Sequence, residues 1–195
     1  MALDGPYTLD DLIAMTGGRK KRAARVPPVL TLERRSRTLR LIGIDPGTRY
    51  VGWGVIERST DGALKLLECG CIAPGVNLPL KDRLKTIFSD LEEILKRTKP
   101  DAAALEETFA GVNMKSAIAM GEGRGIALLC LARANLEVLE LAPRSIKRAV
   151  TGSGAAGKAH VASLVCAQLG LKKTPEPEDI TDALAAAIAL ARRTA

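Results

Sequence analysis

Residues 39–57 read LRLIGIDPGTRYVGWGVIE, and the fold is decided by how that stretch is parsed. Leu39–Asp45 (LRLIGID) is a short apolar run closed by an acid and by Pro46-Gly47, the pattern of a buried strand that ends in a tight turn. Residues 50–57 (YVGWGVIE) give a second strand and residues 63–72 (ALKLLECGCI) a third, with Gly, Thr and Asp in the gaps. Connections this short predict an antiparallel meander. Downstream the period changes. Leu80, Leu84, Ile87, Leu91, Ile94 and Leu95 recur at three- and four-residue steps, predicting an amphipathic helix to about Arg97, ended by Pro100.

Residues 101–106 (DAAALE) are a buried strand entered from that helix, so a parallel crossover is expected. A helix over about 114–135, a strand over 137–141 and three helices near 144–150, 158–169 and 178–193 complete the chain. The order βββ-α-β-α-β-α, without a repeat, predicts one mixed five-stranded α/β sheet flanked by helices.

The 195 residues suffice for one domain plus an arm. The 47% hydrophobic and 26% charged residues are those of a globular chain, which excludes wholesale disorder. No apolar run reaches the ~18 residues that cross a bilayer, and no signal-peptide core follows Met1, so no membrane partner is expected. Cys69, Cys71, Cys130 and Cys166 lack paired spacing, and His160 is the sole histidine. A zinc site or disulfide framework is therefore not expected, and a reducing cytoplasm fits. Chemistry here must run on carboxylates, lysines or a hard metal.

The net charge is +7. Residues 1–39 hold eight Lys and Arg against four Asp and Glu, including the run Arg19-Lys20-Lys21-Arg22, so the excess is concentrated in a basic N-terminal arm, 1–38. Thr8 could cap a short helix to Met15, ended by Gly17-Gly18. A solvated tail and a DNA-contacting arm are both open readings. Basic charge is compatible with phosphate neutralisation in a nucleic-acid partner.

Four carboxylates stand out by position. Asp45 ends the first strand. Glu106 ends the strand expected to lie beside it. Asp179 and Asp182 are three apart at the start of the last helix, on one face. Carboxylates brought together raise one another's pKa. A hard divalent cation removes that repulsion, and oxygen ligands without His or Cys point to Mg²⁺ or Mn²⁺. Two such ions can clamp the attacking and leaving oxygens of a phosphoryl displacement. Each acid has a plainer reading, as a turn residue, a solvated strand end or helix N-terminal charge. Nothing structural requires all four at one end of a sheet.

The segments G43-I-D-P-G-T-R-Y-V-G-W-G-V-I56, A104-L-E-E-T-F109 and E178-D-I-T-D-A-L-A-A-A-I-A189 together resemble the RuvC family of Holliday-junction resolvases. S116-A-I-A-M-G-E-G-R-G-I126 and K147-R-A-V-T-G-S-G-A-A-G-K158 resemble it too, in the same order. The resemblance covers residues 39–195 and implies a ribonuclease-H-like nuclease domain there. It implies a homodimer that nicks opposed strands of four-way junction DNA, leaving a 5′ phosphate and a 3′ hydroxyl, with Mg²⁺ or Mn²⁺, two per site. RuvA and RuvB would be its branch-migration partners. On this reading Asp45 binds both metals, Glu106 and Asp182 complete the two shells, and Asp179 is a fourth ligand or orients water.

Phe109 matches the family's aromatic that intrudes at the junction. Lys147 and Lys158 match basic residues that contact DNA or support catalysis. Many members carry a lysine before the asparagine at 113, where this chain has Val112. Gly121, Gly123 and Gly125 cost about 1 kcal/mol each within a helix, and their return is expected in close helix approach, onto the sheet or across a dimer interface; the resemblance favours the latter.

Three other readings are weaker. Gly152-Ser-Gly-Ala-Ala-Gly157-Lys158 has phosphate-loop spacing, but Ala159 lacks the hydroxyl for Mg²⁺ and no buried strand leads in. Asp45-Pro-Gly-Thr48 also resembles the first phosphate loop of actin-like ATPases and sugar kinases, which need two such domains where this chain supplies one. A non-catalytic junction binder should have lost a carboxylate, and all four are present.

Overall fold

The computed structural model describes residues 37–107 and 114–193. In chain order these form β1 (Leu39–Asp45), β2 (Val51–Arg58), β3 (Leu64–Ile72), α1 (Leu80–Thr98), β4 (Ala102–Glu106), α2 (Met114–Arg133), β5 (Glu137–Leu141), α3 (Pro143–Thr151), α4 (Lys158–Leu169) and α5 (Glu178–Arg193). The sheet order is β3-β2-β1-β4-β5. β1 pairs antiparallel with β2, and β2 with β3; β1 pairs parallel with β4, and β4 with β5. Both the meander and the parallel crossover are present, in the five-stranded mixed sheet expected. The short helix expected over 8–15 and the basic run at 19–22 lie outside the described residues.

β1 is apolar from Leu41 to Ile44 because it is central and covered on both sides, with Arg40 exposed near its start and Asp45 at its end. Ile42 and Ile44 point to one face, where Val51, Trp53 and Val55 of β2 and Ala103 and Leu105 of β4 meet Ile87 and Leu91 of α1 and Leu131 of α2. The opposite face belongs to α5. Its middle is alanine-rich, and Ile180 through Leu190 are buried save Asp182, so it lies flat on the sheet.

That contact depends on Gly43 and Gly52. A Cβ on Gly43 would fall 2.0 Å from the Ala183 carbonyl oxygen, and one on Gly52 would fall 1.9 Å from that of Asp179. Any side chain there would lift the helix off the sheet. Side chains alternate along a strand, so Asp45 shares the α5 face with Gly43. The parallel register pairs Ile44 with Leu105; one step on, Asp45 and Glu106 are neighbours on that same face.

Differences from the sequence reading are confined to element ends. α1 runs to Thr98, and Lys99 closes it in the left-handed conformation, φ 47°, donating its N–H to the Leu95 carbonyl. α2 stops at Arg133 and not at 135, because Asn135 adopts φ 54°, which the right-handed helix excludes. α3 begins at Pro143, whose fixed φ suits the first helical turn.

Candidate active site

Asp45 stands at the C-terminal end of the central strand, just before the Pro46-Gly47 turn, with its side chain on the α5 face. Glu106 ends β4 beside it. α5 begins over β2 at Gly52 and delivers Asp179 and Asp182. Of the sequence-derived acids, all four therefore converge, from β1, β4 and one helix start. Asp45 forms the ridge between two cavities. One, of about 220 Å³, is lined by Glu106, Asp182, Lys147 and Lys158 with Asp45. The other, of about 690 Å³, is lined by Asp179, Arg49, Tyr50, Arg83 and Met120 with Asp45.

The electrostatics follow from that crowding. The Asp45 carboxyl is pushed up from 3.8 to about 7, first by burial and then by Glu106, Asp182 and Asp179, with Lys158 opposing. Burial also raises Glu106, with Asp182 adding and Lys158 and Lys147 opposing. Asp182 is raised by burial against the pull of Lys158. Lys158 Nζ donates to Glu178 Oε2 at 3.0 Å and Asp182 Oδ2 at 3.5 Å, and these bonds raise its pKa. The Lys158–Glu178 pair is well exposed, so it contributes at most about 1 kcal/mol and exchanges readily.

The acids influence one another through their fields without forming a closed cage. Among the described residues, no three His, Cys, Asp or Glu side chains are gathered tightly enough to form a finished metal-ligand cluster. Phe109 lies outside the described residues. Lys147 and Lys158, both singled out in the sequence, line the smaller cavity together.

Several residues that support the site were not read from sequence. Arg124 of α2 donates through Nη1 to the Glu106 backbone carbonyl at 2.7 Å, and its Nη2 pairs with Glu140, so it pins the end of β4. Arg83 of α1 donates to the Thr48 carbonyl at 3.2 Å, tying down the turn after Asp45. Neither stands out by its local pattern; Arg83 is one of several charges on an amphipathic helix, and nothing local distinguishes it from the others. Gly123 has a role within the chain: a Cβ there would fall 2.3 Å from the Gly47 carbonyl oxygen, so α2 rests directly on the Asp45 turn. Gly121 and Gly125 face open space.

Comparison with known proteins places this geometry. The family profile described as "Crossover junction endodeoxyribonuclease RuvC" matches residues 41–190. A relative of that name from Chloroflexus aggregans is 43% identical over 150 residues, covering 77% of this chain and 91% of the relative. One from Chlorobaculum parvum is 46% identical over 144 residues, covering 74% and 76%. The solved structure of T. thermophilus RuvC in complex with Holliday junction substrate superposes with a TM-score of 0.71 at 30% identity, covering 77% of this chain and 92% of that one.

Proposed function

The chain belongs to the RuvC family of crossover junction endodeoxyribonucleases, and from that premise we propose that it resolves four-way DNA junctions by paired symmetric nicks in opposed strands, during recombination and repair. The observation that carries this reading is the convergence of Asp45, Glu106, Asp179 and Asp182 around one strand end, with Lys147 and Lys158 on the adjoining wall.

The donor set fits a hard divalent cation. It is all carboxylate oxygen, and a carboxyl held near 7 by burial and like charge is one whose ionised form gains from a nearby cation. Asp45, Glu106 and Asp182 would hold Mg²⁺ or Mn²⁺, two per site, with Asp179 as a fourth ligand or a hydrogen-bond acceptor that orients water. When bound, such ions supply Lewis acidity for water activation and charge for the leaving oxygen. Lys158 holds Asp182 in place and can exchange Glu178 for a phosphate oxygen. Lys147 adds a second donor on the same wall. Arg124 fixes the strand end that presents Glu106. Phe109, three residues beyond Glu106, is the proposed stacking aromatic.

The nuclease domain spans 39–195 on this reading, with 1–38 as a basic arm; the profile match beginning at residue 41, just inside β1, supports that boundary. A homodimer is supported by the outer face of α2, where Ile118 and Leu129 are exposed beside Gly121 and Gly125. One active site per subunit would then match the two-fold symmetry of a junction. RuvA and RuvB are the proposed partners and the cytoplasm the proposed location. Four free cysteines fit a reducing compartment, and among the described residues no helix is long and apolar enough to cross a membrane.

Strand-by-strand cleavage of a synthetic four-way junction and of linear duplex, with Mg²⁺ and then with EDTA, tests the reading. Paired symmetric nicks confined to the junction and to added metal are expected. Junction binding without nicks would indicate a structural binder, and equal cutting of duplex a less selective nuclease.

A further inference from the structure

The larger cavity, on the Asp179 side of Asp45, lends Asp45 and Asp179 to the mechanism above, but its other walls have no part in it. At about 690 Å³ against 220 Å³ it is some threefold the volume of the lysine-lined one, roomy enough for a nucleotide unit. Its chemistry differs as well. Arg49 and Arg83 bring two guanidiniums, and Tyr50 and Met120 bring exposed apolar surface, 45% and 40% accessible.

The two arginines could simply offset the nearby acids, but the geometry argues against it. Neither forms an ion pair with any described carboxylate, although Asp45 and Asp179 line the same cavity. The cation that acts on Asp45 is Lys158, from the other wall. Arg83 is held in place by its bond to the Thr48 carbonyl, and its Nε is buried without a hydrogen-bond partner. A guanidinium anchored through Nη1, with Nε buried at the wall, is held with its remaining terminal N–H groups available for the bonds that phosphate oxygens accept. Tyr50 follows Arg49 directly and is exposed at the same cavity, where an aromatic face suits a base.

We propose that this cavity is a second strand subsite, in which Arg49 and Arg83 bind a DNA phosphate next to the scissile one and Tyr50 stacks on the adjoining base. The inference rests on the nuclease reading and adds a strand path across both sides of Asp45.

The test uses the full-length protein and four-way junctions carrying 2-aminopurine at single positions flanking the cut, with EDTA present to prevent cleavage. Arg49→Gln and Arg83→Gln should each weaken binding several-fold and reduce the slope of log affinity against log salt by about one. Tyr50→Ala should abolish quenching of 2-aminopurine at one flanking position, and Tyr50→Phe should keep it. Arg83→Lys, which retains one donor, guards against loss of the turn, and Arg49 is exposed, so its variant tests the phosphate contact independently of folding. Unchanged salt slopes in natively folded arginine variants, or quenching at every flanking position that survives Tyr50→Ala, would overturn the subsite while leaving the nuclease reading intact. A wild-type protein that neither bound nor cut junctions would overturn both.

Discussion

Asp45 faces Gly52 across the β1–β2 ladder, and the Asp179 backbone rests where a Gly52 side chain would be. The strand that presents the most crowded carboxylate thus has, as its direct neighbour, the seat of the helix that supplies two more. Gly52→Ala should push the start of α5 outward. Overpacking of this kind costs about 1–3 kcal/mol, and the displaced Asp179 and Asp182 should lower cleavage at least tenfold (order of magnitude). Thermal melts and single-turnover cleavage check it; unchanged values in both would mean that α5 tolerates the methyl group.

Asp45→Asn and Glu106→Gln should each reduce cutting by about a thousandfold or more while junction affinity stays within about threefold, since the substitutions remove metal oxygens and leave the cations in place. Gel-shift and cleavage assays on one junction separate the two effects. Retained cutting in both variants would refute the carboxylate assignment.

Stability without metal should depend on pH through Asp45. Its folded carboxyl, near 7, lies above its ordinary 3.8, so between those values the folded state binds more protons than the unfolded. The contribution is fully present below about pH 4 and lost as pH rises through about 7. In EDTA, Asp45→Asn should match wild type near pH 4 and exceed it at pH 8 by on the order of 2–4 kcal/mol. Mg²⁺ at pH 8 should raise the melting temperature of wild type far more than that of the variant. A wild-type curve flat in pH would refute the crowding argument.

The outer face of α2 gives a prediction about assembly. Ile118→Glu places a charge among Leu129, Gly121 and Gly125, and should convert a dimer to monomers in sedimentation experiments. A monomeric variant should nick one strand at a time, and the coordination of paired cuts should fail. An unchanged sedimentation coefficient would move the interface elsewhere.

Removing residues 1–38 should leave cleavage intact if the arm is a solvated tail. A large fall in junction affinity at fixed salt would instead make it a DNA contact.

The strand pattern and the four acids were legible in the sequence because each rests on local periodicity or on a strand end. β1 and β4 announce themselves as apolar runs, and Asp45 and Glu106 close them. The supports that come from distant parts of the chain are not legible. Arg124 grips the Glu106 carbonyl from 18 residues away, and Arg83 grips Thr48 from 35; no local pattern encodes which carbonyl a guanidinium will find. Lys158 stands out in the sequence as a residue that contacts DNA or supports catalysis, and its bonds to Glu178 and Asp182 depend on how α4 packs beside α5. Gly123 shows the same limit. Its cost to the helix was visible, but its contact with Gly47 follows from tertiary packing.

The chain order of the acids has a consequence for biosynthesis. Asp45 and Glu106 emerge from the ribosome early, whereas Asp179 and Asp182 belong to α5, the last described element to be made. A nascent chain can pair β1, β2 and β4 and still hold only half of its carboxylates. On the proposed carboxylate assignment, competence to cut would await the docking of that single helix.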